Sequence, residues 1–174
     1  RLATVTDPNG GMTRYTYDTV GRMLTITDPR GITFLTNQYD GAGRVSRQTQ
    51  ADGGVWQFAY TTAGNVITQT TVTDPRGNTT TTRFNGQTYP LGRTDGFGQT
   101  TVFTRGASSN LLLTSTDPLG RTTTFEYDSA GNVTKITDPA NQSTHFVYEP
   151  TFNRVTKITD TLNQVTEFTY DPAN

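Results

Sequence analysis

The sequence predicts an all-β fold built from tandem β-hairpins in an antiparallel sheet. Three observations predict it: a composition suited to strands and turns, a repeat of about 22 residues, and strands whose side chains alternate with period two. The 174 residues include 39 Thr, 17 Gly, 8 Pro, 8 Tyr and 9 Phe. β-branched and aromatic residues favour strands, whereas Gly and Pro favour turns. Thr and Gly recur too densely for long helices.

Composition also restricts the class of protein. Hydrophobic residues make up 31% and charged residues 17%, which is low for a conventional globular core. The net charge is −1 without any block of like charges, so we expect no nucleic-acid partner. No apolar run reaches the ~20 residues of a membrane span. The absence of cysteine excludes disulfides and thiolate sites and fits a bacterial surface or secreted protein, with its export signal expected outside this segment.

The repeat is marked by a turn signal, Asp-Pro followed two residues later by Gly or Asn. These signals are Asp7-Pro8-Asn9-Gly10, Asp28-Pro29-Arg30-Gly31, Asp74-Pro75-Arg76-Gly77, Asp117-Pro118-Leu119-Gly120 and Asp138-Pro139-Ala140-Asn141. Weaker versions are Asp52-Gly53-Gly54, Asp95-Gly96-Phe97-Gly98 and Asp160-Thr161-Leu162-Asn163. We interpret residues 1–174 as one array with partial units at both ends and seven full units: 11–31, 32–54, 55–77, 78–98, 99–120, 121–141 and 142–163.

A second turn falls in the middle of each unit. It is marked by Tyr17-Asp18 with Gly21-Arg22, Tyr39-Asp40 with Gly43-Arg44, Tyr60-Thr61 with Gly64-Asn65, Tyr127-Asp128 with Gly131-Asn132, and Tyr148-Glu149 with Asn153-Arg154. We expect type I turns at the Asp-Pro signals. In the middle of the unit we expect longer hairpin loops with a positive φ at the glycine.

The first strand of each unit alternates, which places its aromatic rings on one face. Examples are Trp56-Gln57-Phe58-Ala59-Tyr60, Phe125-Glu126-Tyr127, Phe146-Val147-Tyr148 and Phe168-Thr169-Tyr170. We expect these rings to stack between units in place of an aliphatic core. In the second strand the apolar positions lie three apart, as in Val133 and Ile136. Either a bulge intervenes or both faces are partly covered.

Unit 78–98 and the next unit lack the Tyr-Asp pair. They carry Phe84-Asn85-Gly86 and Phe103-Thr104-Arg105 in its place. We expect the array to bend there or a loop to protrude.

The recurring pattern closely resembles the YD repeats of Rhs proteins. It reads RYTYDTVGRMLTITDPRG at residues 14–31 and TFEYDSAGNVTKITDPAN at residues 124–141. Such repeats also occur in the C component of insecticidal Tc toxins, in bacterial wall-associated proteins and in animal teneurins. The resemblance implies a curved, spirally wound antiparallel sheet, of which this chain would be an open arc of a hollow β-shell that encloses a C-terminal toxin.

The family's repeat positions are architectural rather than catalytic. They map onto Tyr17, Asp18, Gly21, Arg22, Tyr39, Asp40, Gly43, Arg44, Tyr127, Asp128, Gly131 and Asn132. We therefore expect structural roles for these residues, for the turn residues above, and for Tyr148 and Tyr170.

Other functional readings are weaker. A catalytic site would require the single histidine, His145, beside Ser143; because His145 lies opposite Phe146 and Tyr148, we expect a solvent- or lumen-facing side chain and no enzyme. Each turn offers one carboxylate followed by Pro, which is too few ligands for calcium, so neither metal nor cofactor is expected. Arginines beside the turns are expected to pair with Asp18, Asp40 or Asp128 between units. They are Arg14, Arg22, Arg30, Arg44 and Arg121.

The expected partners are flanking repeats and a C-terminal toxin cargo. The alternative function is adhesion or glycan binding at a cell surface, with the rings as the platform. Unpaired strand edges at both ends of the array predict end-to-end self-association.

Overall fold

The computed structural model describes residues 1–171, which form sixteen β-strands and no helix. The predicted all-β, antiparallel hairpin array is confirmed. The strands are β1 Thr4–Thr6, β2 Met12–Tyr17, β3 Met23–Thr27, β4 Thr33–Tyr39, β5 Val45–Gln50, β6 Val55–Ala63, β7 Val66–Thr73, β8 Thr79–Phe84, β9 Pro90–Thr94, β10 Thr100–Arg105, β11 Leu112–Thr116, β12 Thr122–Tyr127, β13 Val133–Thr137, β14 Ser143–Tyr148, β15 Val155–Thr159 and β16 Val165–Glu167.

The chain divides into two compact units. The first contains Arg1–Thr88 and Asp95–Gly98, and the second contains Tyr89–Thr94 and Gln99–Asn174. In the first unit β1 to β8 pair antiparallel in chain order. In the second unit β9 to β16 do the same. Short turns suffice for such meanders, because neighbours in sequence are neighbours in space.

A β-bulge in the second strand of the hairpin explains the three-residue apolar spacing. In the hairpin of β12 and β13, Tyr127 pairs with Val133 and Glu126 pairs with Lys135, so Thr134 is the extra residue. The extra residue shifts the alternation by one, and Val133 and Ile136 therefore share a face. Of the two alternatives left open by the sequence, the bulge is correct.

The same register shift recurs along the chain, and it is found in both compact units. The extra, unpaired residues of these bulges are Leu24, Ser46, Thr68, Leu113 and Thr156.

The ring-bearing face is half-buried, whereas the opposite face is polar. In β6, Trp56, Phe58 and Tyr60 are half-buried and alternate with exposed Gln57 and Ala59. No apolar side chain is fully buried among residues 1–171. The rings thus take the place of an aliphatic core without being enclosed.

Threonine pairs explain much of the composition. On the face opposite the rings, hydroxyls of neighbouring strands hydrogen-bond to each other, a cross-strand contact that stabilises sheets. The pairs include Thr27–Thr33, Thr94–Thr100, Thr104–Thr114, Thr116–Thr122 and Thr137–Ser143.

The two turns of a unit have the same pattern of backbone hydrogen bonds. At Asp28 the Gly31 N–H donates to the Asp28 carbonyl at 3.0 Å, the Asp28 N–H donates to the Ile32 carbonyl, and Gly31 has a φ of 82°. The mid-unit turn at Asp18 has the same bonds, and Gly21 has a φ of 92°. The positive φ of the mid-unit glycine is confirmed. The expected longer mid-unit loop is wrong for Asp18.

Three turns depart from the signals read in the sequence. The turn expected at Asp52 begins at Gln50, whose carbonyl accepts from the Gly53 N–H. Without an aspartate after Tyr60, β6 and β7 extend to a two-residue turn at Gly64-Asn65. The hairpin of β10 and β11 has the same strand pairing as the other hairpins, including the bulge, which lies beside Arg105. No loop therefore protrudes at Phe103–Arg105.

Candidate functional site

The repeats are joined by hydrogen bonds from tyrosine hydroxyls to backbone carbonyls. Each tyrosine stands in or just after the first strand of its unit and reaches a residue in or just before the second strand of the preceding unit. The bonds are Tyr17 to Leu2 at 2.8 Å, Tyr39 to Met23 at 2.6 Å, Tyr60 to Val45 at 2.8 Å, Tyr127 to Leu112 at 2.8 Å, Tyr148 to Val133 at 2.9 Å and Tyr170 to Val155 at 2.6 Å. We call each such contact a repeat junction.

The accepting residue has a defined place in the hairpin. Met23 pairs with Tyr17 and stands just before the bulged Leu24. A bulge disrupts the backbone ladder locally, and backbone carbonyls without partners are costly when desolvated. The hydroxyl of Tyr39 supplies a donor at this point, and it thereby links its own unit to the residue opposite the previous tyrosine.

An arginine covers the ring at several junctions. The Arg22 guanidinium lies 4.5 Å from the centroid of the Tyr39 ring, and its Nε donates to Asp18 Oδ2 at 2.6 Å. Arg44 repeats this arrangement with Asp40 and Tyr60. Planar guanidinium groups stack well on aromatic rings, so the acid of one turn orients an arginine onto the tyrosine of the next unit.

The last described junction has the same form. Arg154 lies 4.4 Å from the Tyr170 ring centroid and donates to Glu149 at 3.3 Å.

The pairs of arginine with aspartate lie within turns, not between units as predicted. Arg22 pairs with Asp18, Arg44 with Asp40, Arg30 with Asp28 and Arg121 with Asp117. The physical reason is the short distance within a turn. The arginine follows its carboxylate by four residues, or by two residues for Arg30, so its guanidinium lies beside that carboxylate. These arginines contribute to the contact between units by stacking on tyrosine, in addition to the tyrosine hydrogen bonds.

One junction replaces tyrosine by arginine. Arg105 occupies the place of the tyrosine in β10, and its Nε donates to the Pro90 carbonyl at 2.8 Å, fifteen residues earlier. Its Nη1 donates to the Asn110 carbonyl in its own turn. This substitution could not be recognised from the sequence, because arginine and tyrosine share only one relevant property, a hydrogen-bond donor at the end of a long side chain.

Asparagine replaces arginine in another unit. Asn132 donates to Asp128 Oδ2 and to Asn153 Oδ1 of the next mid-unit turn, both at 2.9 Å. A direct amide bridge between neighbouring turns therefore takes the place of the arginine stack.

The turn aspartates bind backbone N–H groups. Asp28 Oδ1 accepts from Arg30 and Ile32 at 2.9 Å, and Asp74, Asp117 and Asp138 show the same pair of bonds. The Ile32 N–H, then the Arg30 side chain, lower the pKa of Asp28. The Arg44 N–H most strongly lowers the pKa of Asp40, and the Arg121 side chain that of Asp117.

The proline of an Asp-Pro turn also lies against the turn of the preceding unit. A methyl group added at Gly11 would lie 3.2 Å from Pro29 Cγ, and one added at Gly54 would lie 3.3 Å from Pro75 Cγ. The proline of one turn therefore packs against the residue that follows the preceding turn. Pro118, Pro139, Gly77 and Gly120 lie in further Asp-Pro turns, and Gly131 lies in a mid-unit turn.

The contacts do not support the catalytic and metal sites considered from the sequence. His145 is exposed on the face opposite Phe146 and Tyr148, as its register predicts. Within residues 1–171, no cluster of His, Asp and Glu could hold a metal ion. The same range contains no helix with the length and apolar character needed to cross a bilayer.

Comparison with known proteins supports the same architecture. The profile of the family described as RHS Repeat matches residues 1–33, 39–79 and 107–144. A structure of the Photorhabdus luminescens Tc holotoxin pore has a TM-score of 0.61 at 14% identity, covering 91% of this chain and 11% of that chain. A TcdB2-TccC3-Cdc42 crystal structure has a TM-score of 0.34 at 16% identity, covering 98% and 14%. No curated protein matches the sequence.

Proposed function

Because the chain belongs to the RHS repeat family, we propose that it forms part of the wall of a bacterial shell that encloses a C-terminal toxin. The observation that carries this proposal is the set of repeat junctions, which tie successive hairpins together at the residue just before each bulge. A wall must resist local opening. Junctions that satisfy the carbonyl beside a bulge strengthen the sheet where its ladder is weakest.

The proposed mechanism is containment rather than chemistry. Antiparallel strands about 4.8 Å apart leave no gap for a polypeptide to pass, and the side chains on both faces thicken this barrier. The wall would keep a harmful cargo away from proteases and from the producing cell until delivery. This role places the parent protein outside the cytoplasm or on the cell surface, with flanking repeats on either side of the segment.

Limited proteolysis of the parent protein, followed by mass spectrometry of the protected pieces, tests the proposal. A shell predicts that a non-repeat C-terminal polypeptide resists protease and co-purifies with the repeats. Mild denaturation should expose that polypeptide to cleavage at the concentration at which the repeats unfold. A parent protein that ends in repeats and protects nothing would exclude the wall function.

Adhesion or glycan binding is the second candidate, and the open ring face favours it. Trp56 and Phe58 are only half-buried, and exposed rings can stack on sugars. Binding of the isolated chain to a glycan array, lost in Trp56→Ala and kept in Gln57→Ala on the opposite face, would support this alternative. No binding at any glycan would exclude glycan recognition by this face.

A further inference from the structure

We propose that the turn at Asn85-Gly86 is a site of spontaneous deamidation, a covalent modification that converts the side-chain amide of Asn85 to a carboxylate. Asparagine is among the chemically labile residues of proteins. In the reaction, the backbone nitrogen of the next residue attacks the side-chain carbonyl carbon, and glycine offers no side chain to block this approach. Two Asn-Gly dipeptides occur in the sequence, Asn9-Gly10 and Asn85-Gly86. The inference is independent of the proposed wall function.

The Asn85 amide is held beside its own turn and polarised. The Thr88 N–H donates to the Asn85 backbone carbonyl at 3.0 Å, and the Gln87 N–H donates to Asn85 Oδ1 at 3.0 Å. The turn at Asp28 has the same two bonds, so Asn85 takes the first position of an equivalent turn. The bond to Oδ1 draws electron density from Cγ, which makes that carbon a better target for a nucleophile.

Gly86 takes the second position of the turn, where Pro29 stands in the turn at Asp28. A proline nitrogen carries no proton and cannot enter the reaction, whereas the Gly86 nitrogen has one to lose. Within residues 1–171 the Gly86 N–H donates no hydrogen bond. Gly86 is exposed, and a methyl group added there would have no atom within 4 Å. The nucleophile is therefore both available and unhindered.

Asn9 provides a comparison with the same dipeptide in a different position. Asn9 and Gly10 are the third and fourth residues of the turn at Asp7. The Gly10 N–H donates to the Asp7 carbonyl at 3.0 Å and closes that turn. The Gly10 nitrogen can attack only after this bond has broken, so the fold should protect Asn9 and leave Asn85 open to reaction.

The residue that closes the Asn85 turn also favours reaction. Thr88 has a φ of 65°, which a β-branched residue strongly disfavours. Glycines close the turns at Asp28 and Asp74, where Gly31 and Gly77 have φ values of 82° and 87° without such strain. The Asn85 turn should therefore open more readily than these turns, which lets the chain reach the conformation that ring closure requires.

The reaction needs only water. The Gly86 nitrogen loses its proton to water or hydroxide and bonds to Asn85 Cγ. The bond from Cγ to Nδ2 then breaks, and Nδ2 leaves as ammonia after taking a proton from water, which gives a five-membered succinimide. Water next adds to one of the two ring carbonyls and breaks its bond to the Gly86 nitrogen. Opening at Cγ gives aspartate at position 85, and opening at the backbone carbonyl gives isoaspartate.

Either product changes the turn. Both add one negative charge to the net charge of −1. Aspartate supplies the carboxylate that Asp28 and Asp74 provide at the first position of their turns. Isoaspartate instead adds a methylene group to the main chain and displaces the carbonyl that accepts from the Thr88 N–H.

Comparison of the two dipeptides in the folded chain tests the proposal. The chain is incubated in mildly alkaline buffer, where an amide nitrogen loses its proton more readily, and is then digested with pepsin at acidic pH for mass spectrometry. Asn85 should be converted about fivefold faster than Asn9, the ratio that corresponds to one net hydrogen bond. Because the ratio depends on the fold, it should fall to near one when the chain is unfolded in urea.

Gly86→Pro gives this turn the proline of the turn at Asp28, a position that proline favours. The variant should show no conversion at position 85 and an unchanged rate at Asn9. Circular dichroism and thermal unfolding establish that it is folded, and the ratio in the parent chain is an independent test. An unmodified Asn85, equal rates at Asn85 and Asn9 in the folded parent chain, or conversion at position 85 in folded Gly86→Pro would overturn the inference.

Discussion

The hydroxyl of Tyr148 donates a 2.9 Å hydrogen bond to the backbone carbonyl of Val133, fifteen residues earlier in the chain. Val133 faces Tyr127 in the preceding hairpin and begins the strand that is bulged at Thr134. One bond thus connects a first strand to the weak point of the previous hairpin. Since it joins two repeats rather than two strands of one hairpin, its loss should weaken the coupling between units.

Tyr148→Phe removes this hydroxyl and keeps the ring. We expect a loss of about 1 kcal/mol in the free energy of unfolding, because the Val133 carbonyl is left without its side-chain donor. Urea unfolding followed by circular dichroism measures it. The control is Tyr15→Phe, since the Tyr15 hydroxyl has no hydrogen-bond partner in the described part of the chain. Equal losses in the two variants would show that the junction bond adds nothing.

The stack of Arg44 on Tyr60 should couple neighbouring repeats. A double-mutant cycle with Arg44→Ala and Tyr60→Leu should give a coupling free energy of about 0.5–1 kcal/mol. The same cycle with Arg47, which is exposed on the opposite face beside Gln57, should give a value near zero. A coupling for Arg47 as large as for Arg44 would argue against a specific stack.

Gly120 should be required for its backbone conformation. It has a φ of 78° with no atom close to an added methyl group, so Gly120→Ala should cost about 1–2 kcal/mol through backbone strain alone. Gly41→Ala is the matched control, because Gly41 also has open space but lacks a positive φ. Thermal unfolding of both variants separates strain from contact, and a neutral Gly120→Ala would contradict the expectation.

Thr88 is a strained turn residue whose replacement should stabilise the chain. It adopts a φ of 65°, which β-branched residues strongly disfavour. The equivalent places of other turns hold Asn141 and Asn163, so Thr88→Asn should gain about 0.5–1 kcal/mol. The same change at Thr161, a turn residue without a positive φ, should have little effect on the unfolding temperature. Destabilisation by Thr88→Asn would show that the threonine has another role.

Acidic pH should lower the stability that the turn aspartates contribute. Backbone and arginine donors lower the pKa values of Asp28, Asp40 and Asp117 below the ordinary 3.8. Their contribution to stability is therefore complete above the ordinary value and is lost as the pH falls through the lowered folded-state values.

The unfolding temperature should fall steeply only below about pH 4. Asp40→Asn keeps an oxygen for the Ala42 and Arg44 N–H groups but cannot titrate, so its acid decline should be shallower. An unfolding temperature that is flat to the most acidic pH would contradict this account.

The strands and most turns could be predicted from the sequence because their signals are local. Asp28-Pro29 and Gly31 determine a turn by their own conformational preferences, and the alternation of Phe125 with Tyr127 determines a face. The spacing of Val133 and Ile136 left two explanations, a bulge or partial cover on both faces, since the spacing is visible in the sequence but strand pairing is not.

The junctions could not be predicted because they depend on contacts between units. Nothing local indicates that Tyr148 reaches Val133, or that Arg22 stacks on Tyr39 while pairing with Asp18. Arg105 shows the same limit more sharply, because an apparent break in the repeat is a different side chain making an equivalent bond. The turn at Gln50 was misplaced because glutamine lacks the short carboxylate that marks the other turns.

The structure of the parent protein, determined by electron cryomicroscopy, tests the wall function most directly. The account predicts that β1 and β16 each continue into flanking repeats and that the sheet surrounds a separate, non-repeat polypeptide. It also predicts the bond from Tyr148 to Val133 within that sheet. A parent structure in which these strands surround no polypeptide, with solvent on both faces, would contradict the claim that this segment is the wall of a shell.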